Sequence, residues 1–182
     1  NLWLFLLAPF LVASLLLFIP KERFVLHRRI TVTTFVCLLL MGSIAVADGA
    51  SWQQVYTQQE QPFVPVLFHK YALRLSVTPE RMSLCISMLF FLVTLVGGHP
   101  FHSRNKVKSF SISALFICGL MQACFLSEDI LVSFFFATST HFFFWILMTQ
   151  MGTGRRSLIA LRIFSTFLVV DSLAIGFYLA PT

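Results

Sequence analysis

The basic residues of this chain fall almost entirely between alternate apolar runs, and that pattern constrains the fold more than any other feature. Six apolar stretches, near Leu2–Ile19, Ile30–Ala47, Met82–Gly97, Ser109–Leu126, Ile130–Met151 and Leu158–Leu179, are each long enough to cross hydrocarbon. Lys21, Arg23, Arg28 and Arg29 lie between the first and second stretches, and Arg104, Lys106 and Lys108 between the third and fourth. Arg155, Arg156 and Arg162 occupy the last joint and the foot of the sixth stretch. Ten of the thirteen Lys and Arg therefore share one face; Lys70, Arg74 and Arg81 fall on the other, in a longer loop where topology rules weigh charge less. An all-α, polytopic bundle of six transmembrane helices follows, with the N- and C-termini on the outer side.

Composition bounds the alternatives. A chain that is 58% hydrophobic and 11% charged, with 22 Phe, has too little polar surface to stay soluble alone. Its expected partners are the lipid bilayer and neighbouring membrane subunits. The net charge of +6 would point to a polyanion in a soluble domain, but here it is the loop bias itself, so no nucleic acid is expected. Lys21 to Arg29, the run from Ile30 and Ala45-Val46-Ala47 mimic a signal peptide with its cleavage site. An apolar span precedes that stretch and four follow it, which favours a second transmembrane helix. Cys37, Cys85, Cys118 and Cys124 all sit inside spans and lack the paired short spacing of zinc or redox sites. Asn1 in place of Met suggests a portion of a longer protein.

We read residues 1–182 as a single membrane domain without internal repeat. Its one substantial extramembrane segment is the outer loop 48–81, where Phe63 to Phe68 and Tyr71 to Val77 have the aromatic and β-branched content of a short β-hairpin. Thr78-Pro79-Glu80 then marks a helix start, with Thr78 as cap and Pro79 at the first helical position. Ser127-Glu128-Asp129 is the tightest joint, and its acidic residues suit the positive end of the fifth helix.

Ionisable groups inside spans are costly and therefore informative. This chain has two near mid-membrane, His141 in the fifth span and Asp171 in the sixth. At about 1.5 Å rise per residue they lie roughly 16 Å and 13 Å below the outer edge, close enough in depth to meet. His141 shares a helical stripe with Thr138, Trp145 and Thr149. Two readings stand side by side: a titrating relay in which the carboxylate holds the imidazole tautomer, or a buried polar pair that fixes helix packing. Thr138, Ser139 and Thr140 are the hydrogen-bonding groups beside such a relay, and Arg162 is its inner-side electrostatic neighbour or a snorkelling cation. No metal site or cofactor is expected: His99-Pro100-Phe101-His102 lacks a third ligand, and Gly152-Thr153-Gly154-Arg155-Arg156 lacks the Lys-Ser/Thr of a phosphate loop. Nor is there a Gly-x-Ser-x-Gly or a paired carboxylate at catalytic spacing, so no catalytic residue is assigned.

Two places in the chain resemble the antiporter-like membrane subunits of respiratory complex I, the related multisubunit cation/proton antiporters, and the membrane subunit of a bacterial inorganic-carbon accumulation complex. Those proteins run from an outer loop with short strands into an Asp-Gly-Leu-Ser-Leu start of the third helix. Here Tyr71-Ala72-Leu73-Arg74-Leu75 leads to Glu80-Arg81-Met82-Ser83-Leu84, in which Ser83 and Leu84 are identical. An aromatic fifth helix, a small-residue turn and an Ala-x-Lys-Phe-Phe-like sixth helix are matched by Gly152, Arg155, Arg156 and Ala160-Leu161-Arg162-Ile163-Phe164. The chain departs from the family at the fifth-helix Trp-Glu, where Ala137-Thr138 stands and Thr138 does not titrate. The inorganic-carbon branch favours an Ala-Thr-Ser-like sequence, which Ala137-Thr138-Ser139-Thr140 resembles. The resemblance implies the first part of a proton-translocating subunit in an energy-converting complex of a bacterial or organelle inner membrane. Its inorganic-carbon branch implies a soluble zinc protein as partner. A scaffold subunit that moves nothing is the rival from another class.

Overall fold

The computed structural model describes residues 2–47, 77–98, 104–128 and 130–151, together with 159, 162–163, 165–170 and 173 of the sixth apolar stretch. Every regular element among the described residues is an α-helix: α1 (Leu2–Phe18), α2 (Phe24–Ala47), α3 (Pro79–Gly98), α4 (Arg104–Leu126) and α5 (Ile130–Met151). Residues 165–170 of the sixth stretch are also helical. The hairpin expected in loop 48–81, the His99/His102 pair and the turn at Gly152 lie outside the described residues, apart from Val77 to Arg81.

Three of these helices, α2, α3 and Lys106–Leu126 of α4, are long and apolar enough to cross a membrane; Leu4–Phe18 and Val132–Leu147 are shorter apolar runs. Observed helices overrun the apolar stretches at their charged ends. α2 starts at Phe24 rather than Ile30, and α4 at Arg104 rather than Ser109. The backbone ladder has no reason to stop where apolarity stops, because Lys and Arg are good helix formers whose long stems reach polar partners. At α3 the predicted start holds: Pro79 opens the helix, the Arg81 N–H donates to Thr78 Oγ1 at 3.4 Å and the Met82 N–H to Thr78 O at 3.0 Å. Thr78→Ala is expected to lower stability by about 0.5–1 kcal/mol, the lower half of the range for a lost cap, because the bond is long. Thermal denaturation in detergent micelles would register it as a small drop in midpoint.

α4 is the axis of the bundle, packing against α1, α2, α3 and α5. Of its most apolar window 67% is buried, against 28% for α2 and for α3, so α4 is surrounded while the other two present one face each. The stripe on α2 is His27, Thr31, Phe35, Leu38, Gly42 and Ala45; on α3 it is Met82, Cys85, Leu89, Leu92 and Val96. Both run in steps of three and four residues, the spacing of one helix face packed on another. The outer faces are apolar too. Leu4, Leu7, Leu11 and Leu15 on α1, Leu40 and Ile44 on α2, and Phe90 and Phe91 on α3 are all exposed. A helix hydrophobic all round belongs in a lipid or protein interior.

Hydroxyls in these helices behave accordingly. Ser14, Thr31, Thr34, Ser43 and Ser87 each donate to the carbonyl four residues back, at 2.8–2.9 Å. In an apolar medium that bond spares the hydroxyl an unmade partner.

Cationic side chains tie the helix ends together. Arg28, near the start of α2, donates from Nε to Val96 O at 3.2 Å and from Nη2 to Gly97 O, at the end of α3. Lys108, near the start of α4, donates to Leu17 O and Ile19 O, each at 2.8 Å, at the end of α1. At the other end of the bundle Arg81 donates to Ser127 O at 3.0 Å and Leu126 O at 3.4 Å. Each cation thus sits at the carbonyl terminus of an antiparallel neighbour, where the last turn leaves acceptors unpaired and the helix dipole is negative. The two basic joints, 1–2 and 3–4, are consequently at one end of the bundle.

Candidate functional site

The candidate site lies on α5, whose side chains divide between two neighbours. Phe136 and Phe143 pack on the central core, and Thr140 and Leu147 are buried. The spacing of these four residues puts them on one face. Phe143 stacks on Phe116 of α4, with ring centroids 4.8 Å apart and planes 6° from parallel. His141 points elsewhere: its imidazole stacks on Phe167 of the sixth stretch, centroids 4.4 Å apart and planes at 13°. The ring is half-buried. Phe142 and Trp145 contact each other at 5.9 Å.

Among the relay groups expected from the sequence, Thr138 and Ser139 are half-buried and Thr140 is buried. Ser139 Oγ donates to Phe135 O at 2.9 Å and Thr140 Oγ1 to Phe136 O at 2.8 Å, so both hydroxyl protons are directed into the α5 backbone. Residues one or two apart on a helix do not face each other, which sets Ser139 and Thr140 off the His141 face. Thr138, three residues before His141, shares that face. Arg162 is exposed, and its carbonyl accepts the hydroxyls of Ser165 at 2.8 Å and Thr166 at 2.9 Å. Asp171 lies outside the described residues. The sixth stretch is thus placed against α5 at the level of His141 by Phe167, an aromatic contact no sequence pattern singled out.

Three buried polar side chains in the bundle interior were not anticipated. His27, Ser111 and Gln122 are each 0% exposed. His27 Nε2 lies 3.1 Å from Pro20 O, to which it donates, and Nδ1 has no hydrogen-bond partner among the described residues. Among the described residues, Ser111 Oγ and both polar atoms of Gln122 have no hydrogen-bond partner. Ser111, Leu115, Cys118 and Gln122 recur at steps of four, three and four, so one face of α4 carries both orphan groups. Gln122 is legible in hindsight as a carboxamide in an otherwise apolar run; His27 is not, because the sequence places it in a basic joint. Among the described residues no three His, Cys, Asp or Glu side chains converge as metal ligands. The four cysteines are free thiols, with Cys85 and Cys118 buried.

No family model and no curated protein matches the chain.

Proposed function

We propose that the chain is a six-pass membrane subunit with both termini on the outer side, acting within a larger proton-coupled assembly of an inner membrane as the first part of an antiporter-like subunit does. The observation that carries the reading is His141, an imidazole in the middle of an apolar helix, half-buried against Phe167. Asp171 follows Phe167 by four residues in the sequence, and its carboxylate is the group assigned to hold the imidazole's proton. Phe167 excludes water from one side of the ring. The ring nitrogens exchange protons in the ring plane, at right angles to the stacked face, and Thr138 and Asp171 are the polar groups assigned to that exchange. Arg162 at the inner end would bias the charge of the pathway. Lipid and other membrane subunits share the exposed apolar faces of the bundle in this reading.

A second reading, a scaffold that moves nothing, draws on Ser139 and Thr140, whose protons are already committed to backbone carbonyls. His141→Phe and Asp171→Asn separate the two. With assembly intact, proton uptake into inverted membrane vesicles should fall by about 100-fold or more if the pair carries the proton. Uptake at the parent rate, or loss of the assembly along with uptake, supports the scaffold. A soluble zinc protein that copurifies with the chain would move the assignment to the inorganic-carbon branch.

A further inference from the structure

The cations at the end of the bundle that holds joints 1–2 and 3–4 divide into two sets. Arg28 and Lys108 are committed to the carbonyls of Val96, Gly97, Leu17 and Ile19. Lys21, Arg23, Arg29 and Lys106 are exposed, and Glu22 is the one acidic side chain among the described residues at this end. The exposed outer face of α1, with Leu11, Leu15 and Phe18, the last 85% exposed, runs to this joint: Lys21 and Arg23 follow Phe18 in the chain, and Lys106 stands just before Lys108, whose ammonium reaches Leu17 O and Ile19 O. Positive charge left over after the helix ends are capped therefore borders an uncovered apolar wall.

We infer that this corner, formed by the α1–α2 joint and the first turn of α4, is a docking surface for an anionic phospholipid. The exposed cations attract the headgroup phosphate, and an acyl chain covers Leu11, Leu15 and Phe18. Juxtamembrane basic clusters draw anionic lipid by charge, and acyl burial adds the apolar contribution. Inorganic phosphate satisfies the cations but leaves the wall in water, which is why the lipid, not the free anion, is the occupant. The inference rests on the membrane-spanning reading above and uses none of the α5 residues.

The test is made on the full chain extracted from membranes in a neutral detergent. Its thermal midpoint is followed with added phosphatidylglycerol, with phosphatidylcholine, and with inorganic phosphate at matched concentration. Phosphatidylglycerol is expected to raise the midpoint by several degrees over phosphatidylcholine, phosphate alone to leave it unmoved, and the preference to shrink as salt rises. The variant Lys21→Gln/Arg23→Gln/Arg29→Gln/Lys106→Gln should keep its midpoint in phosphatidylcholine and bind phosphatidylglycerol about tenfold or more weakly. Should that variant not fold, the pairs Lys21→Gln/Arg23→Gln and Arg29→Gln/Lys106→Gln are each expected to lose part of the preference. Equal stabilisation by the two lipids, an equal effect of phosphate, or a preference that survives the substitutions overturns the site while leaving the membrane reading intact. Recovery of the chain from the soluble fraction overturns both.

Discussion

Replacing Gly119 with alanine is expected to loosen the seam between α1 and α4 by about 1–3 kcal/mol, the usual cost of overpacking a filled interior. A Cβ at this position would stand 2.5 Å from Cε2 and 2.6 Å from Cζ of Phe10. The ring has little room to swing aside. It meets Phe116 edge-on at 5.7 Å, and Phe116 is itself stacked on Phe143 of α5. One methyl would therefore push on three helices in series. Where apolar side chains face apolar lipid, association depends on such close fit, since there is little hydrophobic gain in leaving the bilayer for the bundle. Thermal denaturation in detergent would show the loss as a lowered midpoint, and the double variant Phe10→Ala/Gly119→Ala should cost less than the two single changes added together. A midpoint unchanged in Gly119→Ala would mean that α1 does not approach α4 at this level.

Arg81→Met should have a comparable effect by a different route. The Arg81 guanidinium serves two carbonyls at the end of α4, those of Leu126 and Ser127, and both residues are buried, at 0% and 5% exposure. Methionine keeps the length and apolar stem of the side chain but donates nothing, so both hydrogen bonds from Arg81 are lost. A hydrogen bond from a charged donor is worth about 1.5–3 kcal/mol. Arg81→Lys retains the charge with a single point donor in place of the planar fork, and is expected to recover about half of the loss. Urea-free thermal unfolding of the two variants, read against the parent, gives the comparison. Equal midpoints for Arg81→Met and the parent would remove Arg81 from the architecture.

These two sites differ sharply in how visible they are in the sequence. Arg81 stands at a helix start that Thr78 and Pro79 announce, so its place at the mouth of α3 was legible, whereas its bond to the end of α4 was not. Gly119 is one small residue in an apolar run and carries no mark of the ring it accommodates. The same holds at the candidate site. His141 was found because an ionisable group in a long apolar run is rare, but its partner ring, Phe167, is one of 22 Phe and nothing sets it apart. Thr138, Ser139 and Thr140 are adjacent in sequence, yet the helix turns them to different sides and directs the hydroxyls of Ser139 and Thr140 onto its own backbone.

By itself the sequence determined where the apolar stretches lie, that they form helices, and which joints carry the cations. α5 runs over the same residues, Ile130 to Met151, in both the sequence reading and the structure. Those features depend on moving single residues from water into hydrocarbon, and that tendency is a property of each residue alone. The tertiary structure decided which side of each helix turns inward. On α1 the buried Phe5, Leu6, Ala13 and Leu16 are no more apolar than the exposed Leu4, Leu7, Leu11 and Leu15. No polarity contrast distinguishes the two faces, so shape makes the choice: Phe10 fits over Gly119, and Arg28, Lys108 and Arg81 reach the helix ends that need them.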